Sequence, residues 1–158
     1  MIWLDPGGAE KVQDTRITGM NRVDFQQLGD LRIAEGRALL TLPAPMPDGA
    51  YYLAGYAVEC GLKACIARGY GAESWPEKDF VAKYHTHRIV ELIRLAGLDP
   101  ALTVAVAANP ALETNLNVVK DWSENSRYER HSQAEAQRLY DAITDAANGV
   151  LPWIKVHW

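Results

Sequence analysis

The sequence is poor in the features that mark several specialised classes of small protein. Among its 158 residues are only two cysteines, Cys60 and Cys65. They stand five positions apart in one predicted helix and point to different faces, so a disulfide between them is not expected. Two thiols and the lack of a signal-peptide pattern at the amino terminus predict a protein of the cytoplasm.

Long apolar runs and an excess of positive charge are also missing. No stretch approaches the roughly 18 apolar residues of a membrane span, so no membrane partner is expected. The 16 basic residues are outnumbered by 20 acidic ones, which gives a formal net charge of −4. Proteins that coat nucleic acid without regard to sequence are usually basic. The charge balance therefore excludes a strong non-specific binder but not a local basic patch.

Neither a strand pattern nor a repeat occurs, and hydrophobic residues, 48% of the total, recur with helical spacing. These features predict an all-α protein, a bundle of helices. We expect a loose N-terminal arm over residues 1–20, the bundle over 21–149, and an apolar tail over 150–158 that packs on the core or on a partner. The individual helices are predicted over 21–40, 50–68, 86–95, 99–107, 109–122 and 132–153.

Several residues predict where these helices begin, end and pack. Pro47 or Asp48 is expected to open the second helix, and Gly69 to end it in a left-handed conformation. Ser132 and Glu135 match a capping box at the start of the last helix. In the first helix, Gly29 and Gly36 allow close approach of a neighbour. Its apolar face is predicted from residues at three- and four-residue steps, namely Phe25, Leu28, Leu31, Ala34 and Ala38.

The second helix has two distinct faces. An apolar stripe comprises Leu53, Ala57, Cys60, Ala64 and Ala67. A second side carries Tyr52, Tyr56, Glu59 and Lys63. Because Glu59 and Lys63 are four residues apart, one interpretation is an ordinary surface ion pair. The other is a half-buried polar face that meets another helix or a second subunit.

This helix resembles the second helix of HEPN domains (higher eukaryotes and prokaryotes nucleotide-binding). The resemblance is carried by the string YYLAGYAVECGLKA, residues 51–64. The string HRIVEL, residues 87–92, is similar to the family's histidine followed by a leucine-rich helix. SRYE, residues 126–129, is similar to its arginine-tyrosine element. Together the similarity spans roughly Asn21 to Ala147.

The resemblance implies a HEPN-like fold, an up-and-down bundle of four to five helices that pairs as a homodimer. Many members of the family cut RNA, often as toxins restrained by a small nucleotidyltransferase encoded beside them, whereas others serve as binding or scaffold modules. The family's ribonuclease motif is an arginine, a polar residue, three to five further positions and a histidine. In it the histidine acts on the 2′-hydroxyl or the leaving group, the arginine steadies phosphate charge, and no metal is needed.

The matching segment here is Arg127-Tyr128-Glu129-Arg130-His131. It is one residue short, and Tyr128 replaces the usual asparagine, aspartate or histidine. One interpretation is a degenerate nuclease site in which Arg127 and His131 are catalytic and Arg130 helps to bind RNA or phosphate. The favoured interpretation is structural. Arg127 then pairs with Asp121 or Glu124, and His131 is solvated ahead of the last helix. Arg127 and Tyr128 close the loop onto the bundle through Glu59 or Asp121.

His85 and His87 form the other group considered. The two residues could bind a metal, but no third ligand is evident, so an entry into the third helix is favoured. We expect no metal and no cofactor. The tail residues Trp153, Ile154, Val156 and Trp158 could cover the core or a partner's groove.

The sequence thus predicts a HEPN-like binding module, associated with RNA or paired with a nucleotidyltransferase in a toxin-antitoxin-like system. It lacks an intact ribonuclease motif. One alternative is a metal-independent endoribonuclease toxin with a displaced arginine-histidine site. Another is a purely structural protein that oligomerises through its tail. The polar face of the second helix, with Tyr128, is expected to be structural or to form an interface.

Overall fold

The computed structural model describes residues 20–70 and 85–158, and within these ranges the chain is helical without strands. The predicted arm, apart from residue 20, and the segment 71–84 between the second and third predicted helices lie outside the described residues. The described ranges contain seven α-helices and one 3-10 turn, more than the expected four to five helices. The α-helices are α1 (Arg22–Thr41), α2 (Pro47–Arg68), α3 (Ile89–Leu95), α4 (Asp99–Ala108), α5 (Pro110–Val119), α6 (Gln133–Thr144) and α7 (Val150–Lys155). The 3-10 turn spans Glu124–Tyr128.

Helix α1 packs antiparallel to α2 through its glycines. A Cβ on Gly29 would lie 3.4 Å from the carbonyl oxygen of Ala57, and one on Gly36 would lie 3.5 Å from that of Ala50. The predicted close approach is therefore confirmed. The predicted apolar face is wrong for Leu31, Ala34 and Ala38, which are exposed, whereas Phe25 is buried and Leu28 is half-buried. The buried residues of α1 are Phe25, Gly29, Gly36 and Leu40.

Helix α2 is the centre of the bundle. It begins at Pro47, as predicted, and from Ala54 to Ala67 every residue except Tyr56 and Lys63 is buried. A helix that is buried nearly all round must be covered on several sides. The tail does part of this, since Leu151 and Ile154 of α7 lie over Gly61. At its end, Gly69 has a φ of −69°, so the predicted left-handed conformation is wrong.

The predicted last helix is broken between Thr144 and Val150. The side chain of Asp145 accepts hydrogen bonds from the backbone N–H groups of Ala147 and Asn148, at 2.9 and 2.6 Å. Such a local turn competes with continuation of the helix. Gly149 then passes so close to Asp145 that a Cβ would overlap the backbone there. The tail consequently starts a new helix, α7, which packs on the core of the same chain.

Candidate functional site

The polar face of α2 is longer than the sequence suggested. Asp48 continues the series Tyr52, Tyr56, Glu59 and Lys63, at steps of four, four, three and four residues. At a rise of 1.5 Å per residue, Asp48 and Glu59 are about 16 Å apart along the helix axis. We call this set the α2 polar face. Each end of it holds a segment from elsewhere in the chain.

At one end, Asp48 fixes the segment that joins the 3-10 turn to α6. One of its carboxylate oxygens accepts the backbone N–H of His131 at 2.6 Å, and the other lies 3.0 Å from the guanidinium of Arg130. The hydrogen bond from His131, followed by that from Arg130, lowers the pKa of Asp48. Beyond it, Ser132 and Glu135 form the predicted capping box of α6, and hydrogen bonds from Ser132 lower the pKa of Glu135.

His131 is packed rather than solvated, contrary to the favoured interpretation of the sequence. Its ring stacks on Tyr51 with centroids 3.6 Å apart and planes inclined by 8°. The side chain is 10% exposed, and the nearest acidic atom, Oε2 of Glu129, is 3.7 Å from Nε2. Nε2 is buried and has no hydrogen-bond partner among the residues that the structure describes. In this arrangement Nε2 is closed off from solvent.

Arg127 and Tyr128 point away from the bundle. Tyr128 is 77% exposed, and the guanidinium carbon of Arg127 lies 4.9 Å from its ring centroid. Among the described residues no acid pairs with Arg127, so the predicted ion pair with Asp121 or Glu124 is absent. The predicted closure of the loop through Glu59 or Asp121 is also absent. The structure instead presents the two side chains together to solvent.

The loop itself is anchored by Trp122, which the sequence analysis overlooked. Trp122 is buried and lies directly over Gly55 of α2, where any Cβ would overlap the indole ring. Its ring is also 6.0 Å from that of Tyr52. We call residues 127–131, held between Trp122 and the cap of α6, the Arg127 loop. Its backbone is thus fixed at both ends while Arg127 and Tyr128 remain exposed.

At the other end of the α2 polar face, Glu59 is buried, with 1% of its surface exposed. Its Oε1 accepts the ammonium of Lys63 at 2.6 Å and Nδ1 of His87 at 2.9 Å. The interpretation as a surface ion pair is therefore wrong, because the Glu59 carboxylate lies in the interior of the bundle. His87 enters from the segment ahead of α3, so no local spacing in the sequence could reveal it.

Two further groups beside Glu59 are held in their neutral forms. Burial, reinforced by the nearby Glu59 carboxylate, raises the pKa of the Cys60 thiol to about 12. Burial likewise raises the pKa of Tyr56 to about 12. Arg32 of α1 lies 5.9 Å from the Tyr56 ring centroid. The charged groups of this end of the face are thus Glu59, Lys63 and Arg32, with His87 at the rim.

A groove between α5 and α6 runs up to the Arg127 loop. It has a volume of about 640 Å³, and a smaller cavity of about 230 Å³ follows it, next to Tyr51 and His131. Arg138 lines both spaces and is exposed. A further cation therefore stands beside the Arg127 loop.

The described residues contain no group of three or more potential metal ligands. His85 is exposed. His87 forms its hydrogen bond with Glu59 and does not make a pair with His85. None of the helices in residues 20–70 and 85–158 is both long and apolar enough to cross a bilayer.

Comparison with known proteins gives no match, whether to a family model, to a curated protein or to a solved structure. The functional assignment therefore depends on the residues and geometry described above.

Proposed function

We propose that this chain is a HEPN-like helical module that binds single-stranded RNA through the Arg127 loop and does not cut it with His131. The observation that carries the proposal is the exposed pair formed by Arg127 and Tyr128. An aromatic ring and a guanidinium offered together on a fixed backbone suit unpaired RNA. Bases stack on the ring, and the cation contacts phosphate.

The charges around the loop favour a local and modest contact. Arg127 has no acidic partner among the described residues, and Arg138 lies nearby, whereas Arg130 is partly neutralised by Asp48. The chain as a whole is negative. RNA is therefore expected to bind only where these cations meet, with an affinity that falls as salt rises.

We separate RNA binding from RNA cleavage because of the way in which the His131 ring is buried. A general base must reach the proton that it removes, within hydrogen-bonding distance or through one water. Nε2 of His131 is buried beneath the Tyr51 stack. The short spacing and Tyr128 in the motif point in the same direction.

We propose that a second copy of the chain is the main protein partner. Helix α4 has no buried residue, and it carries no charge after Asp99. Val104 on this helix is 71% exposed. Apolar surface of this kind is commonly covered in an assembly. A nucleotidyltransferase partner remains a proposal from the family resemblance alone.

The alternative of oligomerisation through the tail receives no support from the structure. Val150, Leu151 and Ile154 are buried within the chain, and Arg22 donates a hydrogen bond to the carbonyl oxygen of Trp158 at 2.7 Å. These contacts hold the tail against the bundle of its own chain.

Fluorescence anisotropy with a labelled single-stranded RNA tests the proposal. Loss of one stacked base costs about 1–3 kcal/mol, so Tyr128→Ala should raise Kd by about 5- to 150-fold. Arg68→Ala is the control, because it removes an exposed arginine from the opposite end of α2. Equal Kd values for the wild type and Tyr128→Ala would contradict binding through the loop. Metal-free cleavage that is lost in His131→Ala would contradict the separation of binding from cleavage.

A further inference from the structure

A small cavity adjoins the Arg127 loop, between α2, α5 and α6. His131, the last residue of the loop, lines this cavity together with Tyr51. Its volume is about 230 Å³, which equals that of about eight water molecules in the liquid. The cavity is therefore large enough for one nucleobase and too small for a length of strand.

Most of the cavity wall suits a flat ring. The rings of Tyr51 and His131 stack on each other at 3.6 Å, and both residues contribute to the wall. Val118 and the buried Leu139 add aliphatic surface. Unpaired bases of RNA leave the strand to pack against aromatic and apolar side chains of this kind.

The other two lining residues, Glu135 and Arg138, carry opposite charges. They are three positions apart on α6, so their side chains are neighbours on the helix surface. The hydrogen bond from the Ser132 hydroxyl, followed by that from its backbone N–H, lowers the pKa of Glu135. Both bonds end on Oε2, and Oε1 accepts none from a described residue. The pair therefore offers a carboxylate oxygen that only accepts hydrogen bonds beside a guanidinium that only donates them.

Arg138 is also available for a ligand. It is exposed, and within residues 20–70 and 85–158 it forms no ion pair. Its side chain and Val118 line both the cavity and the groove between α5 and α6. Most of the groove is lined by exposed residues, Ala134 and Gln137 among them. The groove thus gives a base an open path from solvent into the cavity.

We propose that the cavity binds a guanine base of the RNA strand that the Arg127 loop holds. The inference rests on the proposed RNA binding and adds a base preference to it. Guanine presents two adjacent donors, N1–H and the N2 amino group, which match the carboxylate of Glu135. Next to them are the acceptors O6 and N7, which arginine recognises with two parallel hydrogen bonds. Adenine has one donor on this side with the acceptor N1 beside it, so N1 would face the carboxylate.

The distance along the loop suits two bases of one strand. Three residues of extended chain span at most about 11 Å, so the Cα atoms of Tyr128 and His131 are no further apart than this. A strand with one base stacked on Tyr128 can therefore place a nearby base in the cavity next to His131.

The test compares the affinities of the full chain for two labelled oligouridylates that differ in one central base, guanine or adenine. A base contact with two hydrogen bonds discriminates by about 5- to 150-fold, so fluorescence anisotropy should give a Kd that is lower by this factor for the guanine strand. Glu135→Gln and Arg138→Gln should each bring the ratio of the two Kd values close to one. Glutamine can still complete the capping box of α6. Glu113→Gln is the matched control, because Glu113 is an exposed glutamate of α5 that lines neither space.

The ratio of Kd values separates this inference from the proposed function. Tyr128→Ala should weaken the binding of both strands and leave their ratio unchanged. Equal affinity of the wild type for the two strands would overturn the guanine site and leave the binding proposal standing. A guanine preference that survives both Glu135→Gln and Arg138→Gln would overturn the site as well. The absence of binding to either strand would overturn the inference together with the proposed function.

Discussion

Glu59 shows at the scale of a single residue what a sequence can and cannot predict. Its place on a polar face with Lys63 follows from helical spacing, and that face is real. Its burial does not follow, because the covering residue, His87, comes from 28 positions further along the chain. His131 illustrates the same limit. Its neighbours in sequence are polar, whereas the ring that it stacks on belongs to α2.

Removal of the Glu59 carboxylate is expected to destabilise the chain strongly. Glu59→Ala leaves the mostly buried Lys63 without its partner, and breaking a buried pair in this way costs about 3–5 kcal/mol. Urea unfolding followed by circular dichroism measures the loss.

The matched control is Glu113→Ala, which removes an exposed glutamate from α5. Surface substitutions of this kind stay within about 0.5 kcal/mol. Equal midpoints for the two variants would show that Glu59 has no structural role.

At the scale of helices, the residues that cap or break a helix predicted where it begins and ends. They did so better than apolar periodicity predicted which face of a helix is buried. Proline at the start of α2 and the capping box of α6 are where the sequence places them. The face of α1 is wrong because close packing against α2 selects its glycines instead of its larger apolar residues. The break after Thr144 depends on a side chain of Asp145 that bonds its own backbone, which helical periodicity does not detect.

Gly55 is expected to be the most sensitive glycine of α2. Alanine normally favours a helix interior, but a Cβ at Gly55 would overlap the Trp122 ring. Gly55→Ala should therefore destabilise the chain by about 1–3 kcal/mol and weaken the anchoring of the Arg127 loop. Urea unfolding gives the first effect and tryptophan fluorescence the second.

Gly36→Ala serves as the comparison, because a Cβ there would make only ordinary contacts. That change should be neutral or stabilising by up to about 1 kcal/mol. An unchanged or raised stability in Gly55→Ala would show that Trp122 does not pack on α2 as described.

At the scale of the whole molecule, the all-helical class follows from the composition and from the helical spacing of hydrophobic residues. It is confirmed for the described residues. The described residues contain more helices than the four to five that the family resemblance implies. The short helices predicted at Pro100 and Pro110 are separate elements, and the predicted last helix is divided before Gly149. Assembly and ligand stay predictions, since they depend on surfaces that a single chain leaves open.

The exposed side of α4, which carries Val104, leads to a prediction about assembly. Val104→Asp puts a charge into the proposed contact with a second copy, so it should convert a dimer into monomers. Light scattering coupled to size exclusion measures the mass. Val156→Asp changes a similarly exposed valine of the tail. This variant should have the same mass as the wild type. A wild-type monomer, or a Val104→Asp dimer, would contradict the assembly through α4.

The salt dependence of RNA binding tests the central claim most directly. Each phosphate contact on a single strand contributes about 0.7 to the slope of log K against log salt. Arg127→Ala should therefore reduce the magnitude of that slope by about 0.7. Tyr128→Leu should lower the affinity without changing the slope. An Arg127→Ala protein with the slope and affinity of the wild type would contradict RNA binding by the Arg127 loop.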